Sequence, residues 1–175
     1  ADQHPVAGGD KFLRLFRGKP QVDGHPVHGL HLVLAALGQM RGHAADNPNV
    51  KKLFTVTSGE LKLTFLVGTD DRLYQLGFGD AAREVEPPAK MPSREWEFLP
   101  PYGNGVLTEP AIQATHVDGN TSTELHYAGH RTEALAPGIE QTVISLKDPA
   151  YPFTVDIYIK CYADNSMLEI WNTVT

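Results

Sequence analysis

Cysteine is almost missing from this chain: a single residue, Cys161, in 175. One cysteine excludes an internal disulfide framework. Basic clusters are missing too. The net charge is −6, and no run of five Lys or Arg occurs. Nothing therefore draws the chain to a phosphate backbone or an anionic bilayer, which argues against nucleic-acid and membrane partners. No apolar run approaches the ~20 residues of a membrane span. Gly-x-Ser-x-Gly, a phosphate loop and Cys-x-x-Cys are all absent, so no cofactor is expected. The chain does not start with Met. Ala1 is either the residue left after leader removal or an arbitrary boundary within a longer chain, and a secreted or periplasmic compartment is favoured over the cytoplasm.

What is present is enough apolar content, 41%, for one domain with a core. The clearest pattern lies at the end. Phe153, Val155, Ile157, Ile159 and Cys161 alternate with Thr154, Asp156, Tyr158, Lys160 and Tyr162. A period of two over ten residues is a half-buried strand. It places Cys161 on an apolar face, as a small core residue. Ala163-Asp164-Asn165-Ser166 is turn chemistry, with Asp and Asn suited to left-handed backbone. Alternation resumes from Met167 to Val174. Setting Tyr162 opposite Met167 pairs Cys161 with Leu168, Ile159 with Ile170 and Val155 with Val174. The other face pairs Tyr158 with Trp171 and Lys160 with Glu169. A slip by one residue would mix the faces. Asn172 is the exception, falling on the apolar face opposite Ile157, where burial would demand hydrogen-bond partners. The chain stops at Thr175 on the strand itself, as a sandwich truncated at its C-terminal end would.

The first 24 residues are rich in Gly and Pro, with a short apolar run at 12–17. Pro26 then precedes Val27, Leu30, Val33, Leu34, Leu37 and Met40, with Gly42 after them, which predicts a helix over 27–41. His25, His28 and His31 spread around that helix instead of sharing a metal-binding face. Strands are predicted at 53–57, 60–67, 73–78 and 140–147. A hairpin is predicted from 110–117 and 121–127 around Asp118-Gly119. Residues 80–101 form a long connection with five prolines, Trp96 and Phe98. About seven strands and one N-terminal helix give an all-β fold, an antiparallel β-sandwich over residues 53–175 behind an extension of residues 1–52.

Candidate chemistry is sparse. In the predicted hairpin His126 lies near Ala111, too far from His116 to share an ion, and His130 lies further on, so no metal site is expected. Glu109, Glu124, Asp156 and Glu169 show no facing pair of the kind a glycosidase needs. Glu169 is accounted for as the partner of Lys160. The serines at 58, 93, 122, 145 and 166 have no placed base. Asn120-Thr121-Ser122 matches a glycosylation sequon.

From Pro100 onward the text resembles glycoside hydrolase family 36, the α-galactosidases of bacteria and fungi. The pieces are Pro101-Tyr102-Gly103-Asn104-Gly105, Glu109-Pro110-Ala111-Ile112-Gln113, Asp118-Gly119, Glu124-Leu125-His126-Tyr127 and His130-Arg131. Asp71-Arg72-Leu73-Tyr74-Gln75-Leu76-Gly77-Phe78-Gly79 upstream, Ile144-Ser145-Leu146-Lys147-Asp148 and the terminal strand pair downstream are similar in order. The resemblance covers roughly residues 55–175. It implies the N-terminal supersandwich domain, non-catalytic in itself, with both catalytic aspartates on a barrel that follows in the same chain. It further implies galactoside substrates and a role in homo-oligomers. In some members a long loop before this region carries an acid and aromatics to a neighbouring subunit. Here residues 80–99 are shorter and different, leaving Trp96 and Tyr102 as candidate sugar contacts, with packing the commoner role for such residues. The alternative is a free-standing carbohydrate-binding module that uses Tyr158, Trp171 and Tyr162 on one sheet face.

Overall fold

The structure is a computed structural model that describes residues 47–107 and 109–175. Among the described residues seven strands run in order: β1 (Val50–Ser58), β2 (Leu61–Gly68), β3 (Leu73–Asp80), β4 (His126–Ala136), β5 (Ile139–Lys147), β6 (Thr154–Tyr162) and β7 (Met167–Val174). They form two antiparallel sheets, β1-β2-β3 and β4-β5-β6-β7. The all-β sandwich reading therefore holds. The predicted helix over 27–41, the run at 12–17 and His25, His28 and His31 lie outside the described residues.

Alternation decides which side chains meet between the sheets. Val155, Ile157, Ile159 and Cys161 of β6 point inward with Ile144 and Leu146 of β5, and meet Val56, Leu63, Phe65 and Val67 from the other sheet. Burying such a side chain contributes about 1.5–3 kcal/mol. Phe65 anchors the centre: Phe54 stacks on it at 5.2 Å and Phe98 meets it edge-on at 4.9 Å. A second tie runs between hairpin tips. Ser58 Oγ donates to the Met167 carbonyl at 2.8 Å, and Ser166 Oγ accepts from the Glu60 amide at 2.9 Å. Gly59 lies between them at φ +56°, and a Cβ there would sit 2.4 Å from the Ala163 carbonyl oxygen. Only glycine fits that approach.

The terminal hairpin has the predicted register throughout, from Tyr162 opposite Met167 to Val155 opposite Val174. Three details differ. The left-handed residue is Ser166 at φ 49°, after a 3-10 turn at Ala163–Asn165, so Asp164 and Asn165 stay right-handed. Asn172 does fall opposite Ile157 but is exposed, because the inter-sheet core reaches β7 only through Leu168. Glu169 accepts a hydrogen bond from the Tyr162 hydroxyl at 2.9 Å, while the Lys160 ammonium sits over the Tyr162 ring at 5.1 Å. Lys160 and Glu169 are opposed on the strands without forming the expected ion pair.

The predicted hairpin of residues 110–127 does not form. Its turn exists, closed by the His116 carbonyl accepting from the Gly119 amide at 2.9 Å, with Gly119 at φ 84°. The arms are held apart by residues 100–102. Ala111 N donates to Pro100 O at 2.8 Å and Tyr102 N to Ile112 O at 2.9 Å, while Thr123 N donates to Tyr102 O at 3.0 Å. The strand that pairs with β5 is β4, further along. It bulges between Tyr127 and Gly129, where its ladder skips a residue.

Candidate functional site

Trp96 ends a 3-10 turn, Arg94–Trp96, within the proline-rich connection. It is 56% exposed. It forms one side of a groove of about 340 Å³, shared with Gln75, Gly77 and Phe98. Tyr102 is also exposed, on the adjoining Tyr102-Gly103-Asn104-Gly105 loop. One hydrogen bond joins the two loops: Arg94 Nη1 donates to the Asn104 carbonyl at 2.6 Å. Asn104 is buried, its Oδ1 accepting from the Val106 amide at 3.0 Å. Its Nδ2 is buried without a partner among the described residues. The structure thus fastens together the two loops that carry the candidate aromatics, and both rings face solvent.

Behind Trp96 lies a charged centre that the residue pattern did not disclose. Arg72 and Glu97 are both buried. Arg72 Nη1 lies 3.3 Å from Glu97, Nη2 lies 3.3 Å from Glu124, and Nε lies 3.7 Å from Asp70. Burial raises the Glu97 carboxyl above its ordinary range, outweighing the attraction of Arg72. Tyr74 donates to Asp70 at 2.6 Å, and desolvation with that bond pushes its phenol well up. Phe98 N donates to Leu73 O at 2.9 Å, and Glu97 bridges to Tyr74. Glu97 is therefore the anchor for the turn that presents Trp96.

The carboxylates considered for hydrolysis are dispersed. Glu124 is taken by Arg72 and by His126 at 3.2 Å. Asp156 accepts from Ser145 Oγ at 2.5 Å, and Glu169 from Tyr162. Glu109 is exposed. The histidines also have separate surroundings. His116 stacks on Tyr151 at 3.7 Å and contacts Thr123 Oγ1 at 3.1 Å. The Asn120 amide and then the Tyr151 hydroxyl donate to Asp118 and hold that carboxyl below its usual range. His130 Nδ1 shares a hydrogen bond of 2.6 Å with the Tyr127 hydroxyl, and the ring stacks on Phe54 at 4.0 Å. The β4 bulge puts Tyr127 and His130 on one side of the strand, which strict alternation would forbid. Among the described residues, no three His, Cys, Asp or Glu side chains gather as a metal site would require.

Tyr158 and Trp171 lie on the outer face of β6 and β7, stacked at 5.2 Å with their planes 5° apart. Trp171 remains 38% exposed.

Comparison with known proteins places the fold. No curated protein sequence matches the chain. Solved structures do match. The GH36 α-galactosidase AgaB from Geobacillus stearothermophilus aligns at TM-score 0.59 and 20% identity, over 70% of this chain and 21% of that one. The α-galactosidase from Lactobacillus brevis aligns at 0.56 and 16%, over 70% and 21%. The galactosidase domain of the α-galactosidase-sucrose kinase AgaSK aligns at 0.60 and 17%, over 73% and 22%. The chain thus spans about a fifth of the length of these relatives. At such identities they show a shared fold. The glycosyl hydrolase family 36 N-terminal domain model matches residues 63–175. The chain belongs to the glycosyl hydrolase family 36 N-terminal domain family.

Proposed function

We propose that this chain is the non-catalytic sandwich domain of an α-galactosidase-like enzyme. In this reading it supports a catalytic barrel of the same polypeptide, and Trp96 and Tyr102 contact the galactoside. The observation that carries the reading is the family match over residues 63–175. Two features of the surface support it. Retaining hydrolysis needs two carboxyl groups about 5 Å apart, whereas Glu124, Asp156 and Glu169 each serve a different local partner. Leu107, Val117, Phe78 and Val174 are all at least half exposed, apolar surface that a neighbouring domain or a second copy would cover.

The test uses the full-length gene product. Trp96→Ala and Tyr102→Ala are expected to raise KM for raffinose about tenfold with kcat little changed, the signature of lost uniform binding. Unchanged kinetics in both variants would remove the two residues from the substrate site. A second reading, the free-standing carbohydrate-binding module, is favoured by the Tyr158–Trp171 stack. Full-length product without a barrel would favour that reading.

A further inference from the structure

The outer face of the β1-β2-β3 sheet carries a cavity of about 320 Å³, and every residue lining it lies within 62–86. Leu63 and Phe65 of β2 point into the core, so their neighbours Lys62 and Thr64 point outward. Opposite these on β3 stand Gly79 and Gly77. Neither brings a side chain, so bare backbone forms that part of the floor. The segment after β3 turns back over it. A Cβ added to Gly77 would meet Val85 at 3.1 Å, while one added to Gly79 would meet nothing within 4 Å. Lys62 fastens this cover, its ammonium donating to the Ala81 carbonyl at 2.7 Å.

One polar group on the floor is left over. Thr64 is 2% exposed and lines the cavity, yet its hydroxyl takes part in no hydrogen bond among the described residues. It is not sealed in. Among those residues the one partnerless side-chain polar atom closed off from its surroundings is Asn104 Nδ2. The Thr64 hydroxyl therefore opens onto the cavity, and a buried hydroxyl is unfavourable unless the space before it supplies a partner. The walls carry both signs of charge. Lys62 and Arg83 are set against Asp80, Glu84 and Glu86. Asp80 is held by one oxygen, which accepts from the Ala82 amide at 2.8 Å. Arg83, Glu84 and Glu86 have no side-chain partner among the described residues. Such a mixture selects neither a polyanion nor a lone cation. It offers donors and acceptors side by side, with the Thr64 hydroxyl serving as either.

We propose that this cavity binds one neutral monosaccharide ring, with a hydroxyl on Thr64 and another on Arg83. At about 30 Å³ per water the cavity has room for about ten waters, or for one sugar ring of about a dozen non-hydrogen atoms. The ring lies on the backbone of Gly77 and Gly79, where a flat ligand meets no side chain. Its hydroxyls each donate and accept, which matches walls that do both. A concave site with a few placed polar groups is what small ligands use. The cavity borders the Trp96 groove at Leu76 and Gly77 but includes neither Trp96 nor Tyr102. The proposal therefore stands apart from the role given to those two residues.

The experiment is an NMR titration of the 175-residue chain, followed at the backbone amide signals of Gly77 and Gly79. The probes are methyl α-galactopyranoside, methyl α-glucopyranoside and, in a separate arm, sodium sulfate. At least one sugar is expected to shift both amides saturably in the millimolar range, and sulfate is expected to leave them in place. Thr64→Val keeps the shape of the side chain and removes the hydroxyl. It is expected to weaken binding about fivefold, the loss of roughly one hydrogen bond. Arg83→Gln, on the exposed cover, is expected to weaken it by a similar factor without touching the sheet. Trp96→Ala is expected to leave the affinity unchanged, so failure here is distinct from failure of the Trp96 assignment. No saturable shift with either sugar would overturn the proposal and leave the cavity to water. Unchanged affinity in both Thr64→Val and Arg83→Gln would overturn it as well. So would a response to sulfate alone, which would make the cavity an anion site.

Discussion

Replacing Arg72 with Met should be the most damaging single change to the presentation of Trp96. Met keeps most of the side-chain volume and removes the guanidinium from a site only 2% exposed. Glu97, 6% exposed, is left with a buried charge whose ion-pair partner is gone, with Arg94 acting on it but making no ion-pair contact. Breaking a buried pair from one side costs about 3–5 kcal/mol. The entropy of unfolding, about 2.1 cal/mol/K per residue, amounts to about 0.3 kcal/mol/K over a unit the size of residues 40–175. The expected fall in Tm is then about 10–17 °C by calorimetry. A pH signature should accompany it. The folded Glu97 carboxyl is already raised by burial, and losing Arg72 raises it further. A raised folded pKa means stability present at acid pH and lost as pH climbs through that value. The deficit of the variant should therefore shrink as pH is lowered from 7.5 toward 5. Arg72→Met with Glu97→Leu should recover most of the loss, since an apolar pair can replace a buried ion pair at little cost. A fall in Tm under about 3 °C, or a double variant no better than the single, would refute the reasoning.

Three further outcomes follow from the same geometry. Burial, with Lys52 nearby, lowers the His130 pKa, so the folded state prefers the neutral ring. Its contribution is complete above the unfolded value of about 6.5 and is lost as pH falls below it. The urea midpoint should drop between pH 7.5 and 5.5 by more in the parent than in His130→Gln, and equal drops would contradict this. Gly59→Ala should cost more than about 1 kcal/mol, because it adds a Cβ at positive φ; an unchanged urea midpoint would show that the Ala163 turn yields. Burial, with Glu140 behind it, raises the Cys161 thiol pKa, so it should react with a thiol reagent only as fast as the chain unfolds. Rapid labelling in native buffer would place it outside the core.

The parts of this fold legible in the residues are those where one sheet face is apolar and the other polar. The β6–β7 register was readable because both faces vote for it, with Ile159 opposite Ile170 and Tyr158 opposite Trp171. β4 was not, since Arg131-Thr132-Glu133-Ala134 are exposed on both sides of the strand and show no alternation. Asp118-Gly119 did mark a turn. A turn does not decide whether its arms pair with each other, and here the Tyr102 segment takes both. The candidate aromatics Trp96 and Tyr102 were visible as residues in a long connection. Their fastening through Arg94 and Asn104, and the Arg72–Glu97 anchor beneath, depend on contacts between residues far apart in the chain. No local pattern encodes those. The Tyr127–His130 contact was hidden for another reason, because one bulged residue reverses the parity of the strand.

The central proposal is that this sandwich supports a catalytic barrel and does not itself cleave. The direct measurement is release of nitrophenol from an aryl α-galactoside by the purified chain, beside a Glu109→Ala, Glu124→Ala, Asp156→Ala triple variant. The expected result is no turnover above the buffer rate for either protein, since Glu124 is taken by Arg72 and Asp156 by Ser145, whereas retaining hydrolysis needs two carboxyl groups facing each other about 5 Å apart. Turnover by the parent that the triple variant abolishes would contradict the account and place a catalytic pair on these strands.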